Sequence, residues 1–149
     1  MVANTGTLNV APRWCPGSMY TSQGEVTFTG TAASGDTGTI SGMVPENGFI
    51  VTGMRVSGTK LDAHETAATG TLIVGDGTDT DFYLTGGLAG RDGPASDQLV
   101  VCGNGTGIGS GTYPASTDVV ITLGGTVATG ASGGTLRVEI DYLCDDAAQ

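Results

Sequence analysis

Residues 134–143 read GTLRVEIDYL. Leu136, Val138, Ile140 and Tyr142 fall on one side of an extended chain, and Arg137, Glu139 and Asp141 fall on the other. Successive side chains of a strand point to opposite faces, so a strict period of two marks a strand with one dry and one wet side. Cys144, Asp145 and Asp146 follow directly, and all three side chains are types that bind metals. The ending is therefore either a wall of a β domain or the rim of a site, and the alternation favours the wall.

Working outward, Val26 and Phe28 share a face near the start of the chain, and Ile50, Met54 and Val56 share one in the middle. From Gly24 onward, short runs rich in Val, Ile and Thr recur between clusters of Gly, Asp, Asn and Ser, the pattern of short strands separated by turns. The strands read at 25–31, 38–44, 49–59, 70–76, 81–87, 98–104, 118–125 and 134–143, and no segment carries a helical period. Eight strands in one unit predict an all-β fold: an antiparallel β-sandwich of jelly-roll or related Greek-key type over residues 25–149. The low-complexity stretch GGTVATGASGG at 124–134 lies between two strands and is expected to be a hairpin lined by small side chains.

Residues 1–24 hold Pro12, Pro16 and Gly17 and have no sustained period, so they read as an extended N-terminal arm. The arm carries Arg13, Trp14 and Tyr20. Trp, Tyr and Arg are the types that dominate protein interfaces, and the three are expected to meet another subunit.

A chain of 149 residues is the size of one ordinary domain. Its 27 glycines and 5% aromatic content bring little apolar area against a large backbone entropy, so self-association as a dimer or trimer is expected to add burial. The net charge of -10 and five scattered basic residues, Arg13, Arg55, Lys60, Arg91 and Arg137, provide no basic groove for nucleic acid. No run is apolar enough for a membrane helix, and the N-terminus lacks the pattern of a secretion signal, which predicts synthesis in a cytoplasm. Three widely spaced cysteines, Cys15, Cys102 and Cys144, fit reduced thiols, with a Cys102–Cys144 pairing left open.

Several stretches resemble chemistry without completing it. Asp76, Asp79 and Asp81 offer oxygens to calcium, but the spacing is not that of an EF-hand and the plainer reading is aspartates that bond their own backbone. His64, between Asp62 and Glu65, has no nucleophile motif to serve as a base. With Cys15, Cys102 and Cys144 it would make four zinc ligands, yet no closely spaced Cys pair is present. The glycines of GNGTGIGSG at 103–111 are followed by neither a helix pattern nor a Lys, so they read as a flexible turn region. Trp14, Tyr20, Phe82 and Tyr83 could stack on sugars, though packing is the commoner use. No catalytic residue, cofactor ligand or metal ligand is assigned.

The strand FIVTGMRVSGT at 49–59, the stretch GTLIVGDGTDTDFYLTGG at 70–87 and the closing DVVITLGGTVATGASGGTLRVEIDYL at 118–143 together resemble the capsid decoration (cement) and head-fibre proteins of tailed bacteriophages. The resemblance implies a jelly-roll sandwich that forms dimers or trimers on the outer surface of a capsid. It implies a non-enzymatic virion protein that binds the major capsid protein and stabilises the shell, with Arg13, Trp14 and Tyr20 at the interface. A glycan- or receptor-binding fibre domain is the alternative. Neither nucleic acid nor a membrane is an expected partner, and no cofactor is.

Overall fold

The computed structural model describes residues 1–12, 18–45, 49–64, 66–90 and 98–144. Among them there are nine strands and no helix: β1 Ala3–Val10, β2 Met19–Thr31, β3 Thr37–Ile40, β4 Phe49–Thr59, β5 Gly70–Gly75, β6 Leu84–Leu88, β7 Gln98–Cys102, β8 Val119–Gly125 and β9 Ser132–Cys144. They form one mixed sheet in the order β6-β5-β8-β3-β1-β2-β9-β4-β7. The expected pair of separate sheets is thus one continuous sheet, curled until its end strands β6 and β7 nearly meet in a barrel-like arrangement.

The closing stretch is a wall. Leu136, Val138, Ile140 and Tyr142 are fully buried, and their polar neighbours face out. β9 pairs with β2 on one side and β4 on the other, and Val26, Phe28, Val51, Met54 and Val56 join it in the core. Ile50, expected beside Met54, is half-buried on the outer face, because a bulge between Val51 and Gly53 reverses the alternation of β4 at that point.

Residues 3–10, read as part of an arm, are instead the strand that joins the two halves of the sheet. β1 is antiparallel to β2 and parallel to β3. Its inward positions are Asn4, Gly6 and Leu8, so a single large apolar residue marks that face, which hid the strand from hydrophobic periodicity. Buried Asn4 satisfies itself by donating from Nδ2 to the Thr37 carbonyl at 2.9 Å and accepting from the Thr29 amide at 3.1 Å. Residues 19–24 likewise lie within β2. Arg13 and Trp14 lie outside the described residues.

The stretch 124–134 is not a hairpin. β8 pairs with β3 and β5, and β9 pairs with β2 and β4, so residues 126–131 cross from one half of the sheet to the other. A buried carboxylate holds the crossing in place. Asp62 Oδ2 accepts from the amides of Thr69 (2.9 Å), Gly70 (2.8 Å) and Ala128 (3.1 Å), and Oδ1 accepts from Thr129 (3.1 Å) and His64 (3.3 Å). Burial opposes ionisation of Asp62, but the backbone N–H groups of Gly70, Thr129, Ala128 and His64 outweigh it and hold its pKa at about 2.

The glycine-rich stretch after β7 closes the barrel where no ladder joins β6 to β7. Gly103 N donates to Met54 O (2.7 Å), Gly105 N to Tyr83 O (3.0 Å), Gly107 N to Phe82 O (2.9 Å) and Gly109 N to Val51 O (2.9 Å). It is a strap rather than a loose turn. A side chain at Gly107 would overlap the Phe82 ring, so only glycine lets the backbone lie this close.

Candidate interaction surface

The outer face of β2, β9 and β4 is built from register. Each rung of polar side chains meets across strands: Thr27 with Thr135 (2.9 Å), Arg137 with Glu25 (2.7 Å), Gln23 with Glu139 (2.9 Å) and Thr21 with Asp141 (2.5 Å). Arg55 of β4 completes the third rung with an ion pair to Glu139. The Arg137 guanidinium, bonded to Glu25, holds that carboxyl below its ordinary value. These are exposed, mutually satisfied pairs that fix register more than they stabilise.

The ladder changes character at the end where the chain enters β2 and β4 and leaves β9. There the rung is Met19, Leu143 and Ile50, aligned across three strands. Met19 is 65% exposed, and Leu143 and Ile50 are half-buried. Beside it, Val10, Ala11, Tyr20, Thr21 and Tyr142 line a notch of about 190 Å³. Tyr20 packs on Tyr142 with ring centroids 6.3 Å apart, and Phe49 meets Tyr142 edge-on at 5.7 Å. An apolar rung at the end of a polar ladder, backed by stacked aromatics, is a surface suited to protein contact.

Of the three residues expected at an interface, Tyr20 lies at this end of β2 but on the inner face, half-buried against Tyr142 where it lines the notch, and Arg13 and Trp14 fall in the β1–β2 connection outside the described residues. Sequence reading missed Met19, Ile50 and Leu143. The available signal was the apolar doublet at each strand end, Met19-Tyr20, Phe49-Ile50 and Tyr142-Leu143: within a doublet one residue must face outward.

The remaining candidates are structural. Asp76, fully buried, accepts from the amides of Thr78 (2.9 Å), Asp79 (2.7 Å) and Ala115 (2.5 Å), the backbone-bonding role expected of it. Asp79 and Asp81 accept from Thr106 and Thr85, at 3.2 Å each. Among the described residues no group of three metal-binding side chains converges. His64 Nδ1 accepts from the amides of Thr66 (3.2 Å) and Ala67 (2.9 Å), while Asp62 meets the His64 backbone, so the ring fixes a turn and among the described residues no carboxylate orients it as a base. Cys102 is exposed and Cys144 is buried. They sit opposite Arg55 and Phe49 on β4, roughly 20 Å apart at the rise of a strand, far beyond disulfide reach. Phe82 and Tyr83 are both buried and pack edge-on at 5.0 Å. Both face inward, the packing use expected as the commoner one, because they precede β6 in a turn covered by the strap.

This fold recurs in chains of assembled virus shells. A chain of the cyanophage Pam1 capsid asymmetric unit aligns over 87% of this chain and 87% of its own length, with 27% identity and a TM-score of 0.64. The chain is similar to phage capsid proteins. A chain in the capsid of Ralstonia phage GP4, at 20% identity and a TM-score of 0.59, shares the fold over 87% of this chain and 86% of its own. No family model and no curated protein matches. The similarity supports a structural role in a virion, in association with capsid proteins.

Proposed function

We propose that this chain is a decoration protein: a non-enzymatic subunit that binds the outer surface of a phage capsid, contacts the major capsid protein and stabilises the shell. The observation that carries this reading is the end-to-end likeness to a chain of the Pam1 capsid at 27% identity. The net charge of -10 adds support, since such a surface suits the exterior of a shell better than an interior lined with DNA.

The end of the sheet bearing Met19, Tyr20, Ile50 and Leu143 is the attachment surface in this reading, with Arg13 and Trp14 of the β1–β2 connection beside it in sequence. Association as a dimer or trimer uses a different edge. β7, QLVVC, is an end strand of the sheet, carries no charged residue and exposes Val100, an apolar spot on which a second copy can pack. The glycan-binding alternative loses two of its aromatic platforms, because Phe82 and Tyr83 are buried.

Purified protein mixed with shells that lack it should co-sediment and saturate at a fixed stoichiometry. Absence of saturable binding overturns the proposal, and binding to a glycan array in its place would support the fibre reading.

A further inference from the structure

Three carboxylates face outward along the paired β2 and β9 strands: Glu25, Glu139 and Asp141. Two are neutralised within the chain, Glu25 by Arg137 and Glu139 by Arg55. Asp141 is the exception. Its Oδ1 accepts from the Thr21 hydroxyl, and among the described residues no cation pairs with it.

The local backbone leaves that carboxylate accessible. Across the ladder from Asp141 stands Gly53, placed there by the bulge in β4. A β-carbon at Gly53 would lie 3.4 Å from Asp141 Oδ2, in van der Waals contact with it, so glycine leaves that side of the oxygen uncovered. A groove of about 530 Å³ runs along this face, lined among others by Thr21, Gly53, Arg55, Glu139 and Asp141. The Arg55–Glu139 pair is self-compensated, so the groove keeps one net negative charge, on Asp141. The next rung beyond Asp141 is the apolar Met19–Leu143–Ile50 row.

We infer that this groove receives an arginine from the capsid protein, whose guanidinium pairs with Asp141 Oδ2 while an adjoining apolar surface covers Met19, Leu143 and Ile50. Arginine suits the position because its planar fork bonds a carboxylate directionally and its stem tolerates apolar neighbours. A second copy of this chain is the weaker occupant. The chain carries 15 acidic residues against five basic ones, and Arg55 and Arg137 are already paired. The inference rests on the decoration reading and adds to it the chemistry of the partner.

The test uses empty shells of the phage that encodes the chain, prepared without it, and the full-length protein. Asp141→Asn, which keeps the acceptor for Thr21, should weaken binding about 30-fold or more, the low end of the cost of removing one member of a desolvated charge pair. Asp141→Lys should weaken it further, and Met19→Asp should match Asp141→Asn or exceed it. Thr27→Lys, at the opposite end of the same face, should bind as wild type does. Thermal melts matching wild type establish that each variant is folded, and if Asp141→Lys melts early, Asp141→Asn alone decides. Wild-type binding with Asp141→Asn and Asp141→Lys equally tight overturns the inference and leaves the decoration reading intact. Failure of the wild type to bind removes both.

Discussion

Replacing Asp62 by Asn should destabilise the fold strongly at neutral pH and weakly in acid. The carboxylate is fully buried and accepts five backbone N–H groups from three segments. An amide of the same shape supplies one oxygen and one NH₂, so two or three of those N–H groups face a donor. Each buried N–H left unsatisfied costs about 1–3 kcal/mol. An independent figure comes from the carboxyl itself, whose pKa falls from the ordinary 3.8 to about 2. At about 1.4 kcal/mol per pKa unit, that difference corresponds to about 2.5 kcal/mol. The first figure spans about 2–9 kcal/mol and the second lies at its low end, so the expected loss at pH 7 is at least about 2.5 kcal/mol. The sign follows from linkage. A carboxyl with a depressed folded-state pKa stabilises fully above its unfolded value of 3.8, and the contribution is lost as pH falls toward about 2. The gap between wild type and Asp62→Asn should therefore hold steady down to about pH 4 and then shrink by about 2.5 kcal/mol. Urea unfolding followed by circular dichroism at a series of pH values measures this gap, and subtracting the variant removes the contribution of the other acids. A variant within about 0.5 kcal/mol of wild type at pH 7, or a gap that stays constant in acid, would refute the idea that Asp62 is an ionised anchor.

Three further outcomes are expected. Gly107→Ala puts a β-carbon into the Phe82 ring and should cost about 1–3 kcal/mol, as overpacking does; a melt unchanged within error would show that the strap yields freely. In a Cys15→Ser background, native protein should present one fast-reacting thiol, Cys102, and Cys144 should react only on unfolding; two fast thiols, or none, contradict the burial pattern. Deleting residues 1–10 removes the strand that joins β2 to β3 and should abolish cooperative unfolding by calorimetry, whereas a dispensable arm would leave the transition intact.

The strands themselves were legible because alternation is a local property. A residue's side of the pleat depends only on its immediate neighbours, so Leu136 to Tyr142, Val26 with Phe28, and the runs at 70–75 and 119–125 declared themselves without any partner in view. β1 did not, since Asn4 and Gly6 share its inward face with Leu8 alone, and polar burial is recognisable only beside Thr29 and Thr37. The same holds for Ile50, whose face is set by a bulge defined against β9.

The amino-acid sequence alone therefore determined an all-β chain with an acidic surface and isolated, unassembled chemical groups. The tertiary structure decided the rest: the crossing at residues 126–131 in place of a hairpin, the strap at 103–109, the Asp62 anchor, and the rung of Met19, Leu143 and Ile50 beside Asp141. Each of these joins residues far apart in the chain, and such neighbours are chosen by which strand edges pair and how the curled sheet buries its apolar face. That choice is a global minimum of burial and hydrogen bonding, so no window of sequence contains it.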